Sequence, residues 1–169
     1  MAVKKEKIPS SSEALDSQRE GASLDPLTHP GHLVRRLHQI CVSVFLSRSD
    51  EFGLTHIQFA ALKAIEFAPG VDQTTLSRLI AIDRQNTSNV VSRLSERGWI
   101  NRQKKDKRTY SLYLTAEGIR VIDAMRKYVP EIDDTILKPL NEKEREVFMA
   151  LLEKLVNLNN ELSRAPQIL

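Results

Sequence analysis

Residues Gln73 to Gly118 read QTTLSRLIAIDRQNTSNVVSRLSERGWINRQKKDKRTYSLYLTAEG. Leu76, Leu79 and Ile80 predict a short helix over about 73–80. Ala81-Ile82-Asp83 breaks it, and Asp83 suits the N-cap of a next helix. That helix ends at Gly98, a residue able to take the left-handed position just past a helix end. Two helices joined by so brief a turn form a helix-turn-helix. The texture then changes. WINRQK and RTYSLYL are short extended segments, with the basic run Lys104-Lys105-Asp106-Lys107-Arg108 joining them. Tyr110, Leu112 and Leu114 alternate with Thr109, Ser111 and Tyr113, the period of two of a half-buried strand. A basic-tipped hairpin directly after a helix-turn-helix is a winged helix.

Helices flank this head on both sides. Upstream, Leu33, Leu37, Ile40, Cys41, Val44 and Phe45 recur at helical spacing and predict a helix over about 30–49. Thr55 and Gln58 then form a capping box, with Leu54 and Phe59 placed as a hydrophobic staple. The helix they open carries Ile57, Ala61, Leu62 and Ile65 and stops before Pro69-Gly70. Downstream, Thr115 caps a long helix whose apolar stripe runs from Ile119 to Ile132, kinked or interrupted at Pro130. Asn141 and Glu144 make a second capping box, and the last helix carries Val147, Phe148, Leu151, Leu152, Leu155, Leu158 and Leu162 and ends before Pro166. Residues 1–28, rich in Ser, Lys, Glu and Asp, read as a flexible arm.

Composition narrows the function. The chain has 169 residues, 41% hydrophobic and 28% charged, enough for a sizeable core without staples. One cysteine, Cys41, rules out an internal disulfide framework and a cysteine-rich zinc site, and points to a reducing cytoplasm. No stretch has the length of apolar sequence that a membrane span requires. Glycine-rich phosphate loops, GxSxG elbows and HExxH motifs are absent, so an enzyme is not expected. His29 and His32 have no obvious carboxylate partner for catalysis or metal binding, and no metal or cofactor is expected.

The helix after Asp83 carries the functional signal. Val90, Val91 and Leu94, with Thr87 at the margin, supply its inward stripe. The other face presents Arg84, Gln85, Asn86, Ser88, Asn89, Ser92 and Arg93. Arginine, asparagine and glutamine can pair in bidentate fashion with guanine or adenine in the major groove. A merely solvated face would favour Glu and Lys instead. From Asp72 to Arg108 there are nine basic residues against four acidic ones, a net +5, while the whole chain is only +3. Positive charge gathered on one module is the footprint of a phosphate-binding surface. Lys105, Lys107 and Arg108 at the wing join Arg84, Gln85, Asn86, Ser88, Asn89 and Arg93 as candidate DNA contacts.

The segments LTHIQFAALKAI, RLSERGWINR, the Asp106-Lys107-Arg108 wing and LTAEG, within residues 30–165, resemble the MarR family of bacterial transcriptional regulators. The resemblance implies a mainly α fold with a small β-hairpin wing, a winged helix-turn-helix head plus a helical dimerisation region. It divides the chain into the arm 1–28, a dimerisation helix 29–50, the DNA-binding region 51–115 and dimerisation helices 116–169. It also implies a homodimeric repressor on a pseudo-palindromic double-stranded operator, released by a small ligand. Arg108 would touch the minor groove and Asp106 would orient its basic neighbours. HPGHLVRRLHQI further resembles members that govern catabolism of aromatic acids, such as hydroxycinnamate or nicotinate derivatives. His32, Arg35, Arg36 and His38 would then face an anionic aromatic effector or its coenzyme A thioester, or else make dimer contacts or face solvent. Two other readings are a thiol-based redox sensor through Cys41 and a winged helix used as a protein-interaction module.

Overall fold

The computed structural model describes residues 27–106 and 109–166. Most of the expected arm, and Lys107 and Arg108 of the wing, lie outside the described residues. The chain divides into two compact units, one up to His38 and one from Gln39 onward. Helix α1 (Pro30–Ser49) runs through that boundary. Its second half contributes Phe45 to the core, with the Phe45 ring edge-on to His56 and tilted against Phe59, centroids 5.5 Å apart in both pairs.

The buried Ser49 hydroxyl donates to the Leu54 carbonyl at 2.8 Å, closing the short 3₁₀ turn Asp50–Phe52. Helix α2 (His56–Phe67) begins with the expected capping box: Thr55 Oγ1 accepts from Gln58 N–H, and Gln58 Oε1 accepts from Thr55 N–H. Ala61, Leu62 and Ile65 are its fully buried face. Two residues, Val71–Asp72, then form β1, a strand that the sequence pattern does not reveal. Asp72 next caps α3 (Gln73–Leu79) by accepting from the N–H groups of Thr74 and Thr75. Burial would raise the Asp72 pKa, but these bonds and the one from the Thr75 hydroxyl outweigh it and hold the carboxyl below its usual range. The turn to the next helix passes through Ala81 at φ +54°, a left-handed position that costs a residue with a Cβ.

Helix α4 (Arg84–Glu96) is capped by Asp83 and buries Val90, Val91 and Leu94. Thr87 belongs fully to this core rather than its margin; its hydroxyl donates to the Asp83 carbonyl at 2.8 Å. Strands β2 (Ile100–Lys104) and β3 (Tyr110–Leu114) form the hairpin, with Arg102 opposite Leu112 and Lys104 opposite Tyr110. The sheet has three strands, in the order β1-β3-β2, all antiparallel. Strand β3 is therefore central, and its strict alternation is lost: Ser111, flanked by Asp72 and Gln103, is buried while Tyr110 is exposed.

Helix α5 (Ala116–Arg126) starts on the Thr115 cap. A Cβ at Gly118 would stand 2.1 Å from the Trp99 carbonyl oxygen, so only glycine lets this helix approach the strand so closely. The predicted long helix is interrupted before Pro130, which sits in the first turn of a separate helix α6 (Val129–Leu137). Helix α7 (Glu142–Leu158) has the expected Asn141–Glu144 capping box and ends before Pro166 as expected, but it stops short of Leu162. Asn159 turns its amide back to the Leu155 carbonyl at 2.8 Å, and a 3₁₀ turn, Asn160–Leu162, follows. No α7 residue is buried. Among the described residues no helix is long and apolar enough to cross a membrane, and no cluster of His, Cys, Asp or Glu could hold a metal.

Candidate nucleic-acid interface

Helix α4 is held at both ends. At its start, Asp83 Oδ1 accepts from Asn86 N–H at 2.9 Å and Oδ2 from the Asn86 amide at 2.6 Å. The Asn86 backbone and amide bonds together hold the Asp83 carboxyl below its usual range. At its end, the Arg97 guanidinium lies over the Trp99 ring, 4.6 Å from its centre, and donates to the Phe52 carbonyl at 3.1 Å. Gly98 takes φ +69° there, and its carbonyl accepts from the Thr115 hydroxyl at 2.6 Å. The Trp99 carbonyl accepts from Thr115 N–H at 3.0 Å. The helix is thus braced between the turn after α1 and the start of α5.

With its inner face buried, α4 turns Arg84, Gln85, Asn86, Asn89 and Arg93 outward. Ser88 and Ser92 are half-buried, so Ser88 lies at the edge of the predicted face. Asn86, Asn89 and Arg93 line a groove of about 290 Å³ against Thr55 and Ile57 of the α2 start. The Asn86 amide already spends one N–H on Asp83, so bidentate contact with adenine requires it to use the remaining N–H and its oxygen.

The wing turn is closed by Asp106. Its Oδ1 accepts from Thr109 N–H at 2.9 Å, while Lys105 and Asp106 N–H groups both point at the Thr109 carbonyl. These bonds tie Lys105 and Asp106 on one side of the turn to Thr109 on the other. Lys105 is exposed at the loop base. Arg102, not singled out from sequence, lies over the Tyr110 ring at 5.0 Å. With Lys105 it lines a polar cleft of about 510 Å³ beside the start of α3. Its alternation with Lys104 along β2 is the signal that would have found it.

The four residues assigned to an effector all lie on α1. Arg35 donates to His32 Nδ1 at 3.2 Å, which requires that nitrogen to be unprotonated. His32, Arg35 and Arg36 share one side of the helix at three- and four-residue spacing. His38 follows Arg35 by three positions but falls nearly opposite Arg36, so the four do not converge on one face. Cys41 is half-buried; desolvation pushes its thiol pKa up, with Asp133 adding to the rise. That is the wrong direction for a reactive thiolate.

A sequence model of the MarR family matches residues 52–109, from the turn before α2 to the residue before β3. The transcriptional regulator HosA of Escherichia coli is 32% identical over 106 residues, covering 62% of this chain and 78% of HosA. The chain belongs to the MarR family. It is a transcriptional regulator with a DNA-binding winged helix, and its family is not enzymatic. The crystal structure of the PcaV regulator of Streptomyces coelicolor, in complex with its natural ligand, superimposes with a TM-score of 0.71. Identity there is 35%, over 80% of this chain and 97% of PcaV. BpsR of Bordetella bronchiseptica, whose DNA binding is regulated by 6-hydroxynicotinic acid, superimposes with a TM-score of 0.74 at 26% identity, over 78% and 96%.

Proposed function

We propose that this MarR-family regulator is a cytoplasmic, ligand-responsive repressor that grips a pseudo-palindromic operator as a homodimer. The observation that carries this reading is the outward face of α4, with Arg84, Gln85, Asn89 and Arg93 exposed on a helix fixed at both ends. Arg84 and Gln85 at its N-terminal end reach base edges in the major groove, assisted by Asn86 and Asn89, with Ser88 at the margin. Lys105, Lys107 and Arg108 contact the backbone or the adjacent minor groove, on a loop shaped by Asp106. Residues 51–115 act as the DNA-binding region, and 29–50 and 116–169 supply the dimer contacts. Two copies would place their α4 helices in successive major grooves, roughly 34 Å apart.

The effector in this reading is a small aromatic acid or its coenzyme A thioester, with His32, Arg35 and Arg36 offering positive charge and donors, and His38 beyond them. The heteroaromatic acid that regulates BpsR supports that class. Release requires the acid to favour a head spacing unable to bind DNA; a coupling of about 1–3 kcal/mol is typical. A random-library selection followed by gel shift, with and without a panel of aromatic acids and their thioesters, tests the whole reading. Enrichment of a palindrome and its release by one acid are expected. Failure to enrich any palindrome overturns the repressor reading.

A further inference from the structure

A side chain that caps a helix needs one acceptor atom, and serine, asparagine and aspartate cap about equally well. At the start of α4 Asp83 uses both of its oxygens. Oδ1 accepts from Asn86 N–H at 2.9 Å, and Oδ2 accepts from the Asn86 side-chain amide at 2.6 Å. The Asn86 backbone N–H and its amide hold the Asp83 carboxyl below its usual range, so it is ionised near neutral pH. An ionised carboxylate has no hydrogen to donate, so the group of Asn86 that faces it is the NH2 and not the oxygen. Both residues are exposed, and Asn86 lines the groove between α4 and the start of α2 beside Asn89 and Arg93. The amide therefore meets that groove in one of its two orientations. Turned by half a circle, it would set its oxygen against the carboxylate.

Orientation decides which base such an amide suits. Adenine offers an N6 amino donor and an N7 acceptor, whereas guanine offers two acceptors, O6 and N7. A freely turning amide serves either base, giving its NH2 to guanine or its oxygen and one N–H to adenine. An amide with one N–H held by Asp83 keeps its oxygen and the other N–H. That pair matches adenine and sets an oxygen against guanine O6. We propose that Asp83 is a positioning residue for base choice, fixing Asn86 so that it reads adenine and rejects guanine. This rests on the reading of α4 as the helix that enters the major groove.

The test is a random-library selection with the full chain, followed by competition gel shifts with adenine or guanine at each position of the enriched motif. The unaltered chain is compared with Asp83→Ser, Asp83→Asn and Asn86→Ala. One position per half-site is expected to prefer adenine by about tenfold in the unaltered chain, a preference that Asn86→Ala removes. Asp83→Ser keeps a cap but frees the amide, and should bring the preference down to about twofold or less. Asp83→Asn puts an NH2 where Oδ2 stood, which draws in the Asn86 oxygen and turns its NH2 outward, so guanine becomes the better base. Loss of the Asp83 charge strengthens binding to all sequences alike and cancels in the ratio. If Asp83 only caps the helix, all three residues at position 83 give the same base preference, and that result overturns the proposal. A motif with no position that Asn86→Ala alters overturns it too. If the unaltered chain enriches no motif, the repressor reading falls and the proposal with it, a result plain before any variant is compared.

Discussion

Residues on the head divide into those that hold the interface in place and those that meet DNA. Gly118 belongs to the first group. Its α-carbon must pass the Trp99 carbonyl with no room for a methyl, so Gly118→Ala forces α5 away from the strand. Overpacking of this kind costs about 1–3 kcal/mol, and more where the clash is with backbone. A lowered midpoint in urea with unchanged slope is expected, and an unchanged midpoint would mean that the approach is looser than the geometry has it. Arg84 and Arg108 belong to the second group in the reading proposed above, and their substitutions should differ in kind. Arg84→Ala is expected to alter preference at one operator position by about 1–3 kcal/mol. Arg108→Ala should weaken all sequences alike and flatten the slope of log affinity against log salt by about 1. Competition gel shifts across a salt series separate these patterns, and equal effects on every sequence from Arg84→Ala would remove it from base readout.

Elements show where sequence reading works and where it stops. Capping boxes at Thr55–Gln58 and Asn141–Glu144 were legible because both partners lie within three residues and need no tertiary partner. The α4 register was legible for the same reason, through Asp83 and Gly98. Strand β1 was not, since two residues carry no period and exist as a strand only through pairing with β3 some forty residues later. That same pairing buries Ser111 and leaves Tyr110 outside, against the local alternation. The cap on α3 offers a test at this scale. Asp72→Ala should cost about 1 kcal/mol near neutral pH by orphaning the Thr74 and Thr75 N–H groups. Because the folded-state pKa of Asp72 is lowered, its contribution is present above the unfolded carboxylate value, about pH 4, and is lost as pH falls through the folded value. The gap between the two proteins should therefore narrow below about pH 4, read by urea unfolding at several pH values; a gap that widens there assigns the stabilisation to another group.

At the scale of the whole molecule, the surface poses the remaining question. Val147, Leu151, Leu155 and Leu158 of α7 are all exposed, Leu155 at 62%, and on α1 so are Leu33, Val34, Ile40 and Leu46. Monomeric soluble proteins scatter apolar side chains, but a helix with so many leucines and no buried residue lacks its partner. The α7 stripe by itself fits a core helix or an interface helix, since both need the same pattern; its exposure supports the dimerisation role that the family resemblance implied. A second copy is the occupant proposed above, and it makes operator affinity depend on this helix although α7 carries none of the proposed base contacts. Leu151→Asp with Leu155→Asp places two charges in that interface while leaving the head intact. Light scattering should then give the mass of one chain, and the circular dichroism and unfolding of the head should persist. Affinity for a two-half-site operator should fall by about 10²–10⁴, the avidity lost when two linked heads become independent, while affinity for a single half-site stays nearly unchanged. A variant that remains dimeric would place the interface elsewhere, and one that is monomeric yet binds the full operator undiminished would separate DNA recognition from dimerisation.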